Sequence, residues 1–416
     1  MPHALAFAVE IATTVLAVAG MGYFLAALVA ARVFLSRRRA MLASVPAHTP
    51  GVSVMKSLKG LDPGMMDAFR SHCTQTYAGD FELLFGVSSL DDPAAAAVGQ
   101  LKTEFPERTI RLVECPERLG TNGKVSTLVQ LAEHARFNYL LINDSDITVG
   151  PRYLERVMAC FDAGPSEAKA PDRFAAVDMR AEARTLQPKP VGLVTALYRG
   201  QAHGTLPSRF EALGIATDFQ AGVLLSKMIE GGLHYGLGST LAVRREALEK
   251  AGGLRALVDH LADDYEMGAR VDKAGYRVEL SATVVETAVP AYKWRGFVDH
   301  QLRWLRTVRD ARPGGYVGLL FVHGLAWALL NVIASGLSPL SLWLLAMSLF
   351  LRFGLAMTVG AEVLGDRQVL AYLWLLPLRD AVAMGLWVAG FAGNTIVWRG
   401  ERFVLRDGKL MKEKDL

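Results

Sequence analysis

The chain has 416 residues, 51% of them hydrophobic, and a formal net charge of +4; with a mean hydropathy of +0.24 this excludes a wholly soluble domain of ordinary composition and points to membrane segments. The modest basic excess sits largely beside apolar stretches, which suits an anionic bilayer surface and not nucleic acid as partner. The cysteines, Cys73, Cys115 and Cys160, are widely spaced, so no disulfide framework or cysteine zinc site is expected, and a reducing compartment fits.

Residues 4–31 are apolar apart from Glu10. At ~1.5 Å per helical residue they are long enough to cross a hydrocarbon core of about 30 Å. Arg32, Arg37, Arg38 and Arg39 follow at once, which by the positive-inside rule keeps that end cytoplasmic and the N-terminus outside. Because the charges come after the apolar run, residues 1–39 are expected to be a retained anchor and not a cleaved signal peptide.

Residues 40–313 read as a cytoplasmic α/β domain. Short β-rich runs at 52–55, 81–87, 110–114, 139–143 and 191–195 alternate with helix-sized segments, the pattern of βαβ units and a mostly parallel sheet covered on both faces. Ligands of such sheets bind beyond the carboxyl ends of the strands. Residues 164–190, rich in Pro, Ala and charge, are expected to be a surface insertion.

After Pro313, residues 314–398 are dominated by apolar stretches at 317–335, 340–363 and 369–397, the last broken at Pro377, Arg379 and Asp380. These read as membrane helices. Every tryptophan lies at or after Trp294, several near the ends of these stretches, where an indole keeps its ring apolar and its N–H wet. The basic tail, 399–416, is expected on the cytoplasmic side. With the N-terminus outside, an odd number of crossings follows. The anchor and the first two C-terminal stretches satisfy it, and the last stretch is then a hairpin or a re-entrant segment, with Arg379 and Asp380 as the candidate turn.

The run at 139–143 leads directly into Asp144-Ser145-Asp146. Such a string in a loop is ordinarily a turn or a helix cap, but after a central apolar strand its carboxylates are placed to share a hard divalent cation, Mg2+ or Mn2+, and so neutralise a donor diphosphate. Asp91 and Asp92 stand similarly after the run at 81–87. There, Asp before Pro93 caps a helix, and the carboxylate can also accept hydrogen bonds from a nucleoside. Between these motifs, Gly120-Thr-Asn-Gly-Lys124 opens a helix with a pliable backbone and one cation suited to approach a nucleotide.

His260-Leu-Ala-Asp263-Asp264-Tyr265-Glu266 is the densest acidic cluster. It is a helix start that favours acids, and also a source of the base that an attacking hydroxyl needs, with neighbouring charge and partial burial raising the carboxyl pKa. Downstream, Leu302, Leu305 and Val308 recur at helical spacing, with arginines at 303, 306 and 309. That is an interfacial basic helix, on which Arg303 can face a leaving diphosphate while Trp304 packs against acceptor or base loop.

In order, Asp92, Asp144-Ser-Asp146, Asp263-Asp264-Tyr265 and Arg303-Trp304 resemble the D, DxD, D, (Q/R)xxRW series of membrane glycosyltransferases of the GT-A fold. More closely the chain resembles the ceramide glucosyltransferase family, family 21, through Leu58-Lys-Gly-Leu-Asp62-Pro63, Asp91-Asp-Pro-Ala94, Gly252-Gly-Leu254 and Trp398-Arg-Gly-Glu-Arg-Phe403. His300-Gln-Leu-Arg-Trp304 and Arg312-Pro-Gly-Gly-Tyr316 look most like the bacterial hopanoid-associated members. The resemblance implies a UDP-sugar donor, a membrane lipid acceptor such as ceramide or a hopanoid polyol, inversion of the anomeric centre, and a place in a bacterial inner membrane. It further implies that Asp92 holds the nucleoside, Asp144 and Asp146 a metal diphosphate, Asp264 the proton, and Arg303 with Trp304 the acceptor and phosphate side; Lys124, from the glycine motif above, would join Asp92 and Asp144 on the donor. Asp263 and His300 would complete the acceptor side; His300 departs from the Gln or Arg that opens the last motif.

Two other readings stand beside it. A processive polysaccharide synthase shares the fold but carries more spans and a Gln or Arg at the position of His300. A non-catalytic membrane protein that binds lipid or UDP-sugar would have little need of the full acid series.

Overall fold

The computed structural model describes residues 2–43, 46–162, 189–398 and 401–412. The surface insertion expected at 164–190 falls outside them, apart from its last two residues.

Seven strands form one sheet: β1 (Val52–Ser57), β2 (Phe81–Val87), β3 (Ile110–Glu114), β4 (Tyr139–Ile142), β5 (Val191–Ala202), β6 (Leu241–Arg244) and β7 (Arg277–Val289), ordered β3-β2-β1-β4-β6-β5-β7. Only β6 runs against its neighbours. Successive side chains of a strand point to opposite faces, and here both faces are apolar. Leu140 and Ile142 of β4 enter one core and Leu141 the other; Val52 and Val54 of β1 oppose Met55 in the same way. Doubly covered strands therefore appear as continuous apolar runs in the sequence. The carboxyl ends of β1 and β4, side by side in the centre, carry the residues described below.

Among the described residues, three helices are long and apolar enough to cross a membrane, Leu5–Ala43, Pro339–Val363 and Arg367–Gly390, and Pro313–Phe321 with Gly324–Ala334, bent by 53°, makes a fourth if the pair is one span. The first helix packs on Gly324–Ala334 through glycines: a Cβ on Gly20 would lie 2.2 Å from Gly324 Cα. Nearby, Asn331 Nδ2 donates to Thr13 Oγ1 at 3.0 Å and Thr14 Oγ1 at 2.8 Å. At the other end of the first helix, Arg38 donates to Val363 O at 2.6 Å, so its basic end meets the carboxyl end of Pro339–Val363, where orphan carbonyls need donors.

The turn expected at Arg379 and Asp380 is absent, because both lie inside the continuous helix Leu376–Gly390. Charges in an apolar run imitate a break, but here they are paired. Asp380 accepts from Arg352 Nε at 2.7 Å, and Arg352 also donates to Asp218 Oδ1 at 2.6 Å, while Arg379 pairs with both aspartates. Both ends of Arg367–Gly390 are tied to the sheet domain and its basic helix. Gln368 donates to Gly200 O at 3.0 Å, and Gly390 O accepts from Arg309 at 2.5 Å.

Beyond that helix, β8 (Thr395–Trp398), β9 (Glu401–Arg406) and β10 (Lys409–Lys412) make a small antiparallel sheet. It grips the segment that leads to Asp263: Leu410 N donates to Asp259 O at 2.8 Å and Leu261 N to Gly408 O at 3.3 Å.

Candidate active site

Where β4 leaves the sheet, buried Asn143 anchors the backbone by donating from Nδ2 to Ser239 O at 2.6 Å and Tyr153 Oη at 2.9 Å. The next residues are thereby held in one conformation. Ser145 Oγ donates to Asp62 Oδ2 at 2.5 Å. Asp146 Oδ2 accepts from Thr287 Oγ1 at 2.5 Å and from Ala288 N at 3.0 Å, which leaves its other oxygen available. Burial holds the Asp146 carboxyl above the usual range, with the Thr287 hydrogen bond opposing and the Asp144 charge adding to it. From β1, buried Lys56 donates to Asp144 O at 2.7 Å. Burial lowers its ammonium pKa to about 7, although Asp146 and Asp144 pull the other way.

Asn122 caps the helix Gly123–Glu133 by accepting from Val125 N at 3.2 Å, and its amide donates to His260 O at 2.8 Å. This cap joins the Gly120–Lys124 motif to the acidic segment. Lys124 Nζ then lies 2.8 Å from Asp144 Oδ1 and 3.2 Å from Asp263 Oδ2. Burial alone would lower its pKa, but these carboxylates overcome it and hold the ammonium above its ordinary range.

Asp264 stands in the first turn of the helix Asp263–Lys273. Burial pushes its carboxyl up to about 6, Asp263 adds to the rise, and Lys124 opposes it. Gly238 lies between it and Asp144. A Cβ there would be 3.1 Å from Asp264 Oδ2 and 3.6 Å from Asp144 Oδ2, so the glycine keeps open a space that both carboxylates face.

The helix Trp294–Ala311 brings His300, Arg303 and Trp304 to the same cavity. His300 Nδ1 is 2.9 Å from Glu211 Oε2, which also accepts from Gln301 Nε2 at 3.1 Å. The imidazole stacks on Tyr292, with ring centroids 5.5 Å apart, and meets Trp304 at 4.9 Å. Asp92 is placed differently. It caps the helix Pro93–Glu104 through Ala94 N at 2.9 Å and accepts from Gly60 N at 2.9 and 3.1 Å, so it tethers the loop that carries Asp62 and is not part of the cavity lining.

The cavity measures about 990 Å³, at the upper end of the ~300–1,000 Å³ typical of ligand sites. Asp144, Asp146, Lys124 and Asp264 line one part of it, while Leu319, Val322 and Leu386 of the apolar helices line another. Asp144 and Asp146 are hard oxygen donors that suit Mg2+ or Mn2+ with a diphosphate and water completing the shell. They are not a closed cage: among the described residues no three His, Cys, Asp or Glu side chains converge on one point.

Lys56, Thr287 and Glu211 are members of this constellation that sequence reasoning does not single out. Lys56 had a signal, a lysine in an otherwise apolar strand; Thr287 and Glu211 had none, since their partners lie 141 and 89 residues away.

The model of glycosyl transferase family 21 matches residues 12–167 and 178–411. Ceramide glucosyltransferase 3 of Caenorhabditis elegans is 22% identical over 374 residues, covering 86% of this chain and 73% of the relative. Ceramide glucosyltransferase 1 of the same organism is 22% identical over 374 residues, covering 86% and 72%. Among solved structures, the mannosyltransferase PcManGT from Pyrobaculum calidifontis, in complex with GDP-Man and Mn2+, is similar with a TM-score of 0.48 and 19% identity over 90% of this chain and 97% of that one. The family match takes in the acid-bearing sheet, the basic helix and the helices long and apolar enough to cross a membrane, and the chain accordingly belongs to glycosyl transferase family 21.

Proposed function

We propose that this enzyme transfers a hexose, glucose or N-acetylglucosamine, from a UDP-sugar to a hydroxyl of a membrane lipid, a ceramide or a hopanoid polyol, with inversion at the anomeric carbon. The observation that supports this reading is the single cavity that passes from the carboxylates at the strand ends to the walls of the apolar helices. A polar donor and an apolar acceptor then reach one point from two solvents.

Asp144 and Asp146 would hold a Mg2+ or Mn2+ ion, which supplies positive charge against the donor diphosphate. Lys124 adds a fixed cation on the same side, and Arg303 faces the leaving phosphate from the basic helix. Asp264 takes the proton of the acceptor hydroxyl as the new bond forms at the anomeric carbon and the bond to the diphosphate breaks. Its pKa of about 6 leaves it largely ionised at neutral pH and still basic enough to accept the proton. Asp263 holds Lys124 in place, and Asp92 shapes the nucleoside side through the loop it tethers. His300 and Trp304 order the acceptor side.

The domain boundaries that suit this role are an anchor at 1–39, a cytoplasmic domain at 40–313, membrane helices at 314–398 and a cytoplasmic tail. The anchor, the bent pair and Pro339–Val363 cross a bacterial inner membrane, while Arg367–Gly390, tied at both ends to the sheet domain and its basic helix, lies along the cytoplasmic interface.

The test is a transfer assay in membranes with labelled UDP-glucose and UDP-N-acetylglucosamine against ceramide, diacylglycerol and bacteriohopanetetrol. Label in a single lipid product is the expected result. Label in a polymer, or in no lipid, overturns the reading.

A further inference from the structure

The cavity is not uniformly apolar where it meets the membrane helices. His323 sits at the break of the bent pair, between Phe321 and Gly324. It is only 7% exposed, lines the cavity, and packs its ring against Trp387 at 5.4 Å. Its Nε2 has no hydrogen-bond partner among the described residues, and neither has the buried hydroxyl of Tyr23, which lines the same cavity from the first helix. The charged groups at this end are already occupied: Arg379 and Asp218 pair with one another and with Asp380 and Arg352.

Buried polar groups are nearly always paired, so two unpaired ones that line one cavity call for a partner. An ionisable residue within a membrane segment is seldom there for packing alone. A purely hydrocarbon acceptor tail would leave both groups unsatisfied.

We infer that His323 and Tyr23 form a second polar subsite, which hydrogen-bonds an oxygen of the acceptor lipid other than the hydroxyl that is glycosylated. The inference rests on the lipid-transfer reading and deepens it: the acceptor class narrows to lipids with at least one further hydroxyl. A pocket built to hydrogen-bond a substrate group rejects the analogue that lacks it, because its own polar atoms are then left unpaired.

The experiment uses the full chain in nanodiscs with labelled UDP-glucose and UDP-N-acetylglucosamine. Acceptors are ceramide, its 3-deoxy analogue, bacteriohopanetetrol and a hopanoid with one hydroxyl. The wild type should favour the oxygen-richer member of the active pair by about tenfold or more in kcat/KM, the worth of one good hydrogen bond. His323→Leu should lose rate on that member alone, bringing the pair within about threefold, and His323→Gln should restore part of the preference. UDP binding measured by calorimetry verifies that each variant is folded. Undiminished discrimination in a folded His323→Leu overturns the subsite while leaving lipid transfer standing. Absence of transfer to all four lipids overturns the lipid-transfer reading and the subsite with it.

Discussion

His300 and Glu211 meet at 2.9 Å although they come from different helices, and the carboxylate that holds the imidazole is 5% exposed. A carboxylate only accepts hydrogen bonds, so the imidazole donates to it from Nδ1. Glu211 thereby fixes the orientation of the imidazole ring. Gln301 uses the same oxygen, so the carboxylate also fixes the register of the helix bearing Arg303 and Trp304. Glu211→Leu should lower kcat by about tenfold or more with donor KM almost unchanged, and Glu211→Gln should recover part of it. Steady-state kinetics with varied donor decides; equal losses in Glu211→Leu and Glu211→Gln would show that the charge and not the positioning matters.

As the proposed base, Asp264 should govern the acid limb of the pH profile. Its carboxyl, raised to about 6, must be ionised to accept a proton, so kcat/KM should be level above that pH and fall as pH drops through it. Asp264→Asn should reduce transfer by about 10²- to 10⁴-fold while UDP binding persists. Turnover retained in this variant would remove Asp264 as the base.

Lys124 Nζ lies 2.8 Å from an Asp144 carboxylate oxygen and 3.2 Å from one of Asp263. It favours the ionised form of Asp264, so its removal raises that pKa. Lys124→Met should move the acid limb to higher pH by about one unit and weaken UDP-sugar binding. A pH profile of kcat/KM that keeps its midpoint would contradict the coupling.

Among the helices outside the sheet domain, Arg352 is fully buried and is neutralised by Asp380 and Asp218. Removing one member strands the others, at a cost of about 3–5 kcal/mol. Arg352→Met should therefore lower the midpoint of thermal unfolding in detergent markedly. A joint replacement of Arg352, Arg379, Asp218 and Asp380 by apolar residues of similar volume should cost much less, since the desolvation of four charges is then avoided.

The central strands were legible because each is buried on both faces, and a doubly buried strand writes itself as a short apolar run. The acids at Asp144, Asp146, Asp263 and Asp264 were legible because charge directly after such a run, or stacked at a helix start, is unusual. β6 was not, since its four residues run straight into the helix Arg245–Lys250, and β7 was not, since Glu279, Glu286 and Thr287 interrupt its apolar pattern. Arg379 and Asp380 were read as a turn for a different reason. Whether charges break an apolar helix depends on whether opposite charges reach them, and here the partners Arg352 and Asp218 lie 28 and 161 residues away. Asp92 was legible as an important carboxylate, but its cap and its hold on Gly60 place its influence one step from the cavity.

The small sheet β8-β9-β10 gives the enzyme a built-in order of assembly. On a ribosome, β4, which leads into Asp144 and Asp146, follows its partner β1 and can pair with it as soon as both have emerged. The segment before Asp263 waits for Gly408 and Leu410, which it meets only after every apolar helix has been made. The backbone bonds that hold the approach to Asp263 are thus among the last that the growing chain can make, more than 130 residues after that segment itself has emerged.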